Sequence, residues 1–145
     1  MLDYPRGRAH ARMLSGMDES RLKRIKPFAS LSTTERRELA RVVDEFSAAT
    51  GTTLVSQGDY GYELMVIEEG TADVFRDGER IDTIGPGDFF GELAVLDDES
   101  KRNASVVATS PVRVLTLTAH YMRLVREHMP QIGDQIDRVI ADRTH

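Results

Sequence analysis

The chain has 145 residues, of which 40% are hydrophobic and 30% charged, and its formal net charge is −5 at pH 7. These values are typical of one globular domain with a single core. There is no cysteine, which excludes disulfides, thiolate metal sites, iron–sulfur clusters and a cysteine nucleophile. No apolar run approaches the roughly 20 residues that a membrane-spanning helix needs, and none follows the first arginines as in a secretory signal. We therefore expect a cytoplasmic protein.

The positive charge is concentrated at the N-terminal end of the chain. Residues 1–26 contain seven Lys or Arg and three acids, a local excess of four positive charges on an otherwise acidic chain. Residues 1–17 show no apolar period, so they are predicted to form a flexible basic leader, and residues 18–145 the domain. A basic arm can contact nucleic acid or a membrane. The charge run is modest, which favours a solvated leader that folds back on the acidic body.

Helices are predicted on both sides of a central β region. Residues 18–25 can form one short helix, which ends before Pro27. Ser32 and Glu35 have the spacing of a capping box, so a helix is predicted over 33–43. Thr118 can cap a helix that runs to about residue 127, and Pro130 fits the first turn of another, which runs to about residue 142.

Between the helices, short runs of β-branched and aromatic residues alternate with Gly or Asp at intervals of about ten residues. Asp77-Gly78 has the composition of a type I′ hairpin turn, which needs positive φ at both central residues. Such strands favour a mainly β fold with flanking helices (α+β): a jelly-roll-type β-barrel with an N-terminal helix, a short internal helix and C-terminal helices. The predicted strands are 45–49, 52–56, 62–68, 71–76, 79–84, 104–109 and 112–117.

One segment, around residues 91–102, does not show the regular spacing of the predicted strands. Residues 92–96 are helix-prone but too short for a stable isolated helix, and Gly91 precedes them. A helix N-terminus offers unpaired N–H groups and about half a positive charge, and glycine allows close approach to the backbone. Arg102 lies ten residues after Glu92, and its planar guanidinium matches phosphate oxygens in pairs. These features together predict an anion site.

Two stretches, Gly91-Glu92-Leu93-Ala94 and Arg102-Asn103-Ala104-Ser105-Val106, resemble the phosphate-binding cassette of the cyclic nucleotide-binding domain family. That family includes the catabolite activator protein and the regulatory subunits of protein kinase A, and the match extends over about 27–142. The resemblance implies that the cyclic phosphate binds to the backbone N–H groups of the first stretch and to the Arg102 guanidinium. It also implies that Glu92 accepts a hydrogen bond from the ribose 2′-hydroxyl. The complete implied ligand-binding set is Gly91, Glu92, Leu93, Ala94, Arg102, Asn103 and Ala104.

The resemblance also bears on the base and on the output. Family members that prefer cyclic GMP (cGMP) often carry Thr or Ser directly after the cassette arginine, where Asn103 stands. Asparagine both donates and accepts, so cGMP stays possible, although cyclic AMP (cAMP) is the expected ligand. The last helix is expected to cover the base with Ile136, Val139 and Ile140 as its lid, and its movement is the expected signal. The same apolar face could instead pack on a second copy of the chain.

Three classes of function compete for this sequence. The first is a cyclic-nucleotide sensor, and the second is an interaction module that binds no ligand and in which Glu92 and Arg102 form an internal ion pair. An enzyme is disfavoured, because four scattered histidines offer no metal cluster or activated water, and the acids at 97–99 are expected to be solvated and to bind no metal. Only two residues follow Arg143, so no DNA-binding domain is expected; the alternative is that the 145 residues are a fragment of a larger chain. The expected partners are the nucleotide and an effector protein or a second copy.

Overall fold

The structure, a computed structural model, describes residues 18–25, 28–29, 31–60, 63–91, 101–130, 133–134 and 138. The predicted leader, 1–17, lies outside these residues. Within the described ranges, none of the helices combines the length and the apolar character needed to cross a membrane. The elements in chain order are α1 (Glu19–Lys23), α2 (Thr33–Val42), β1 (Asp44–Ala48), β2 (Thr53–Val55), β3 (Glu63–Glu69), β4 (Ala72–Arg76), β5 (Glu79–Ile84), β6 (Phe89–Phe90), β7 (Ser105–Ala108), β8 (Val112–Thr118) and α3 (Ala119–His128).

Side-chain caps fix where the helices begin. The Glu35 backbone N–H donates to Ser32 Oγ at 3.1 Å, and the Ser32 backbone N–H donates to Glu35 Oε1 at 2.8 Å, so the predicted capping box is present. Thr118 accepts from the Tyr121 backbone N–H at 3.4 Å at the start of α3. The first helix is shorter than predicted, because Asp18 is its cap rather than its first residue. The helix predicted over 130–142 falls mostly outside the described residues.

The strands form two four-stranded antiparallel sheets, in the orders β1-β8-β3-β6 and β2-β7-β4-β5. This is the strand order of a jelly roll, so the predicted fold class is confirmed. Seven strands match the predicted ones to within about two residues. The prediction missed β6, whose two residues pair with Met65 and Val66 of β3. A two-residue strand is too short to show the alternation that identifies a strand in a sequence.

The turn between β4 and β5 has the predicted geometry. Asp77 has φ 54° and Gly78 has φ 82°, the two positive values that a type I′ turn requires. Arg76 and Glu79 are paired directly across the turn. The two-residue loop therefore fixes the register next to the turn, and the register shifts by one residue between Phe75 and Val74. The backbone reverses at the tip beside residue 57.

Alternation along β3 divides the core into two layers. Leu64 and Val66 pack with the helices, whereas Met65 and Ile67 pack between the two sheets. In β6, Phe89 faces the helical layer, where its ring centroid lies 6.3 Å from that of Phe28, and Phe90 belongs to the layer between the sheets. The first sheet is therefore covered on both faces, and β3 is buried from residue 63 to residue 67.

An ionic network ties α1 to the first sheet. Arg21 of α1 bonds to Glu45 of β1 and, at 2.7 Å, to Glu68 of β3, and Arg113 of β8 also reaches Glu68, at 2.9 Å. Partial burial raises the pKa of the Glu68 carboxyl, but the hydrogen bonds and positive charges of Arg21 and Arg113 outweigh burial, so the net pKa lies below its usual value. The charged form of Glu68 therefore stabilises the folded state.

We expect Glu68→Gln to flatten the acid limb of the stability curve. A depressed folded-state pKa adds stability above the unfolded-state value, and that stability is lost as pH falls through the lower, folded-state pKa. The Tm of the parent chain should therefore fall more steeply below about pH 5 than that of Glu68→Gln, as measured by thermal denaturation followed by circular dichroism. Glu79→Gln, at an exposed position of β5, is the matched control. Parallel acid limbs for parent and Glu68→Gln would contradict the role of the network.

Candidate functional site

Gly91 and Arg102 meet at the end of β6. Gly91 has φ 78°, a backbone conformation that favours glycine. Arg102 Nη1 donates to the Glu63 backbone carbonyl at 3.0 Å. A Cβ atom at position 91 would lie 2.1 Å from Arg102 Nη1 and 2.7 Å from that same carbonyl oxygen. Glycine is therefore required here for two reasons: the backbone conformation, and the space that the guanidinium takes.

Glu63, which provides the carbonyl, is a site residue that the sequence analysis missed. It is the first residue of β3, it pairs with Thr118, and only 4% of its surface is exposed. A signal was present, because a charged residue opens a run of five consecutive positions that are otherwise apolar. Charged side chains are seldom fully buried without partners, so an acid in such a strand marks a polar contact inside the fold.

The backbone of the Arg102 segment is held by a neighbouring loop. The Arg102 N–H donates to the Asp59 carbonyl at 2.6 Å, and the Gly58 N–H donates to the Arg102 carbonyl at 2.9 Å. An isolated β-bridge joins Tyr60 to Lys101, and Lys101 Nζ lies 5.6 Å from the centroid of the Tyr60 ring. Both the N–H and the carbonyl of Arg102 are therefore hydrogen-bonded, which fixes the backbone from which the side chain projects.

Other predicted site residues lie around this pair. Asn103 is partly buried, and its carbonyl accepts from Arg76 Nε at 3.2 Å. The side chain of Ala104 is buried in the layer between the sheets, which leaves its backbone for any role in the site. The structure therefore brings Gly91 and Arg102 together, and Asn103 follows Arg102 directly in the chain. The remaining predicted residues, Glu92, Leu93, Ala94, Ile136, Val139 and Ile140, lie outside the described residues.

The chemistry of this arrangement suits an anion. A guanidinium offers five N–H donors in a planar fork, and it stays charged at all physiological pH values. Lys101 and Arg76, one adjacent in sequence and one hydrogen-bonded to the same segment, add positive charge beside it.

Comparisons with known proteins agree on one family. The family model for the cyclic nucleotide-binding domain matches residues 45–128, more than half of the chain. The cAMP-dependent protein kinase regulatory subunit of Hypocrea atroviridis is 38% identical over 101 residues, which cover 70% of this chain and 22% of that protein. The chain spans about a quarter of the length of the curated relatives it matches. These relatives are regulatory subunits, in agreement with the expectation that the domain is regulatory and not an enzyme.

Solved structures give the same result for the fold. The regulatory domain of Toxoplasma gondii protein kinase A, crystallised with cAMP, aligns with a TM-score of 0.70 and 25% identity over 86% of this chain and 48% of that one. A regulatory subunit of a cAMP-independent protein kinase A from Trypanosoma brucei aligns with a TM-score of 0.71 and 25% identity over 83% and 43% of the two chains. The resemblance predicted from the two cassette stretches is confirmed, and this chain belongs to the cyclic nucleotide-binding domain family.

Proposed function

We propose that this domain is a cytoplasmic sensor that binds cAMP at the site formed by Gly91 and Arg102. The observation that carries the proposal is the Arg102 guanidinium held against the backbone at Gly91, where a Cβ atom would lie 2.1 Å from Nη1. A cyclic phosphate carries one negative charge and two exocyclic oxygens. A planar guanidinium can donate to both oxygens at once, and such charge-assisted pairs are about twice as strong as neutral hydrogen bonds.

The other predicted residues complete the proposed site. The backbone N–H groups of Gly91, Glu92, Leu93 and Ala94 share the phosphate with Arg102, since N–H groups at the start of a helical turn favour an anion. Glu92 accepts from the ribose 2′-hydroxyl, and Asn103 and Ala104 lie beside the phosphate. A carboxylate so close to an anion is favourable only with a donor hydroxyl and a cation at hand, and the ribose and Arg102 supply them.

The proposed output is movement of the segment that follows α3. Met129, which directly precedes this segment, is buried in the same helical-layer cluster as Phe89, and Phe89 lies two residues before Gly91. A change at Gly91 can therefore reach residues 130–142, with Ile136, Val139 and Ile140 as the lid, through one packed cluster. The ligand shifts this equilibrium only by its difference in affinity for the two states. An effector protein or a second copy of the chain receives the signal.

The proposal is tested by calorimetric titration of the chain with cAMP, cGMP and 5′-AMP. We expect cAMP to bind more tightly than cGMP, and both to bind more tightly than 5′-AMP, because the open phosphate lacks the cyclic diester that the site fits. A ligand at one hundred times its Kd should stabilise the chain by about 2.7 kcal/mol, visible as a rise in Tm. Absence of both binding heat and a Tm shift with millimolar cyclic nucleotides would refute the proposal.

The fold is equally compatible with the second candidate, an interaction module that binds no ligand. The neighbour from Trypanosoma brucei belongs to a cAMP-independent kinase, yet its TM-score of 0.71 equals, within 0.01, that of the cAMP-bound Toxoplasma gondii domain. The fold alone therefore does not separate the two functions. A folded chain with a cooperative melt that is unchanged by every nucleotide in the titration would favour this module.

A further inference from the structure

The tip of the β4–β5 hairpin is hydrogen-bonded to the loop that holds Arg102. Gln57 Nε2 donates to Asp77 Oδ1 at 2.8 Å, and the Asp77 backbone N–H donates to Gln57 Oε1 at 2.8 Å. Both ends of the Gln57 amide are thus used on one residue of the turn. The backbone N–H of Gln57 also donates to Ser105 Oγ at 2.8 Å. Gln57 therefore joins the hairpin tip to the beginning of β7.

The same hairpin contacts the Arg102 segment from its other side. Arg76, the residue before Asp77, donates from Nε to the carbonyl of Asn103 at 3.2 Å. Gln57 precedes Gly58 and Asp59, whose backbones bond to Arg102, and Asn103 follows Arg102 directly. Asp77 thus bonds to Gln57, which lies just before the residues that hold the Arg102 backbone. Arg76, its neighbour in the hairpin, bonds to Asn103, which lies just after Arg102. We name this set of contacts, made by Gln57, Arg76 and Asp77, the hairpin latch.

The exposure of the latch residues indicates that they affect the position of Arg102 more than the stability of the whole fold. Gln57 and Asp77 are both exposed, and hydrogen bonds between exposed groups contribute little to the free energy of unfolding, because water replaces them. We expect these bonds to affect ligand affinity more than the free energy of unfolding, because Arg102 has to lie within hydrogen-bond distance of the phosphate. Errors of about 1 Å in such a site are costly.

We propose that Gln57, Arg76 and Asp77 are positioning residues that keep Arg102 in register with Gly91 and so set the affinity for the cyclic phosphate. None of them is proposed to touch the ligand. The inference rests on the proposed function, since it concerns the same anion site. It goes further in assigning a role to the β4–β5 turn, which lies outside the two cassette stretches.

The chain offers a test in which a hydrogen bond is broken and then restored. Gln57→Glu keeps the shape of the side chain but places a carboxylate oxygen against Asp77 Oδ1, so one donor is lost and two like charges meet. We expect a loss of cAMP affinity of about three- to tenfold by calorimetry. Adding Asp77→Asn restores a donor opposite the new carboxylate, and asparagine tolerates the positive φ at this position. The double variant should therefore recover most of the affinity.

Two further measurements separate positioning from a general structural effect. Amide hydrogen exchange at Arg102, whose N–H bonds to Asp59, should be faster in Gln57→Glu and return toward the parent rate in the double variant. In an Arg102→Lys background, Gln57→Glu should lower the affinity for cAMP by less than about twofold. The reason is that the lysine ammonium lacks the planar fork that the latch orients. Glu79→Gln, which changes one charge in the same hairpin, is the matched control.

The outcomes distinguish failure of the inference from failure of the proposed function. If the parent chain binds no cyclic nucleotide, the proposed function fails, and the exchange rates at Arg102 still decide whether the latch holds the segment. If the parent binds cAMP, an unchanged affinity and exchange rate in Gln57→Glu would overturn the latch. It would also be overturned by a double variant as weak as Gln57→Glu alone, or by an equal loss in the Arg102→Lys background.

Discussion

Arg102→Ala is expected to weaken cAMP binding by about 2–5 kcal/mol, a loss of about thirtyfold to several thousandfold in affinity. The side chain is partly buried, and Nη1 is fixed on the Glu63 carbonyl at 3.0 Å. Its removal takes away the guanidinium that the structure places against Gly91. Calorimetric titration of the variant measures the effect directly. Arg80→Ala is the matched control, because that side chain is exposed on β5 and pairs only loosely with Asp73, at 3.8 Å.

A second substitution at position 102 identifies what the arginine does. Arg102→Lys retains the charge but loses the planar fork, so its affinity should lie between those of the parent and the alanine variant. Both variants should melt cooperatively, which a thermal scan without ligand checks. If Arg102→Ala bound cAMP as tightly as the parent chain, the phosphate would have to be held elsewhere, and the proposed site would be wrong.

Gly70→Ala is expected to destabilise the fold without reference to any ligand. Gly70 joins β3 to β4 with φ 95°, and a Cβ there would lie 2.3 Å from the Pro111 carbonyl oxygen and 2.8 Å from Val112 Cγ1. A strained left-handed residue costs about 1–3 kcal/mol, and overpacking a further 1–3 kcal/mol or so. Because the nearest atom belongs to the backbone, a rotation of a side chain cannot relieve the clash. Urea denaturation should therefore show a loss of at least about 2 kcal/mol.

Gly51→Ala separates the two causes. Gly51 has φ 89°, but a Cβ there would have no atom within 4 Å, so the substitution brings backbone strain without a clash. It should cost less than Gly70→Ala by the overpacking contribution alone. Equal losses for the two variants would show that the turn between β3 and β4 yields to make room, and that the contact with Pro111 is not decisive.

Local signals in the sequence were sufficient for much of the fold. The capping box at Ser32 and the type I′ turn at Asp77 each depend on two or three neighbouring residues, so no knowledge of distant contacts was required. The β6 strand could not be found in this way, because its pairing with Met65 and Val66 is decided across the sheet. The network around Glu68 was missed for the same reason, since Arg21 lies 47 positions away in the chain.

The site was predicted in its parts but not in its arrangement. Gly91 was interpreted as a place where a ligand approaches the backbone, and the structure adds that the Arg102 guanidinium itself comes within that space. The charge of Glu63 in an apolar strand signals a polar contact, but not this one, because Glu63 acts through its backbone carbonyl, which the residue type does not reveal. The latch on residue 57 depends on a turn 20 positions later in the chain, so spacing within the cassette could not indicate it.

The double burial of β3 has a consequence for how this domain can vary. Leu64 and Val66 pack against the helices, and Met65 and Ile67 pack between the sheets. All side chains from 63 to 67 are therefore buried, and a change in the volume of any of them disturbs the packing. A deep mutational scan should find this stretch among the least permissive in the chain, whereas 79–83 of β5 should accept most replacements. Because β3 meets the proposed site only through the backbone carbonyl of Glu63, changes in ligand preference should arise from side chains outside this strand.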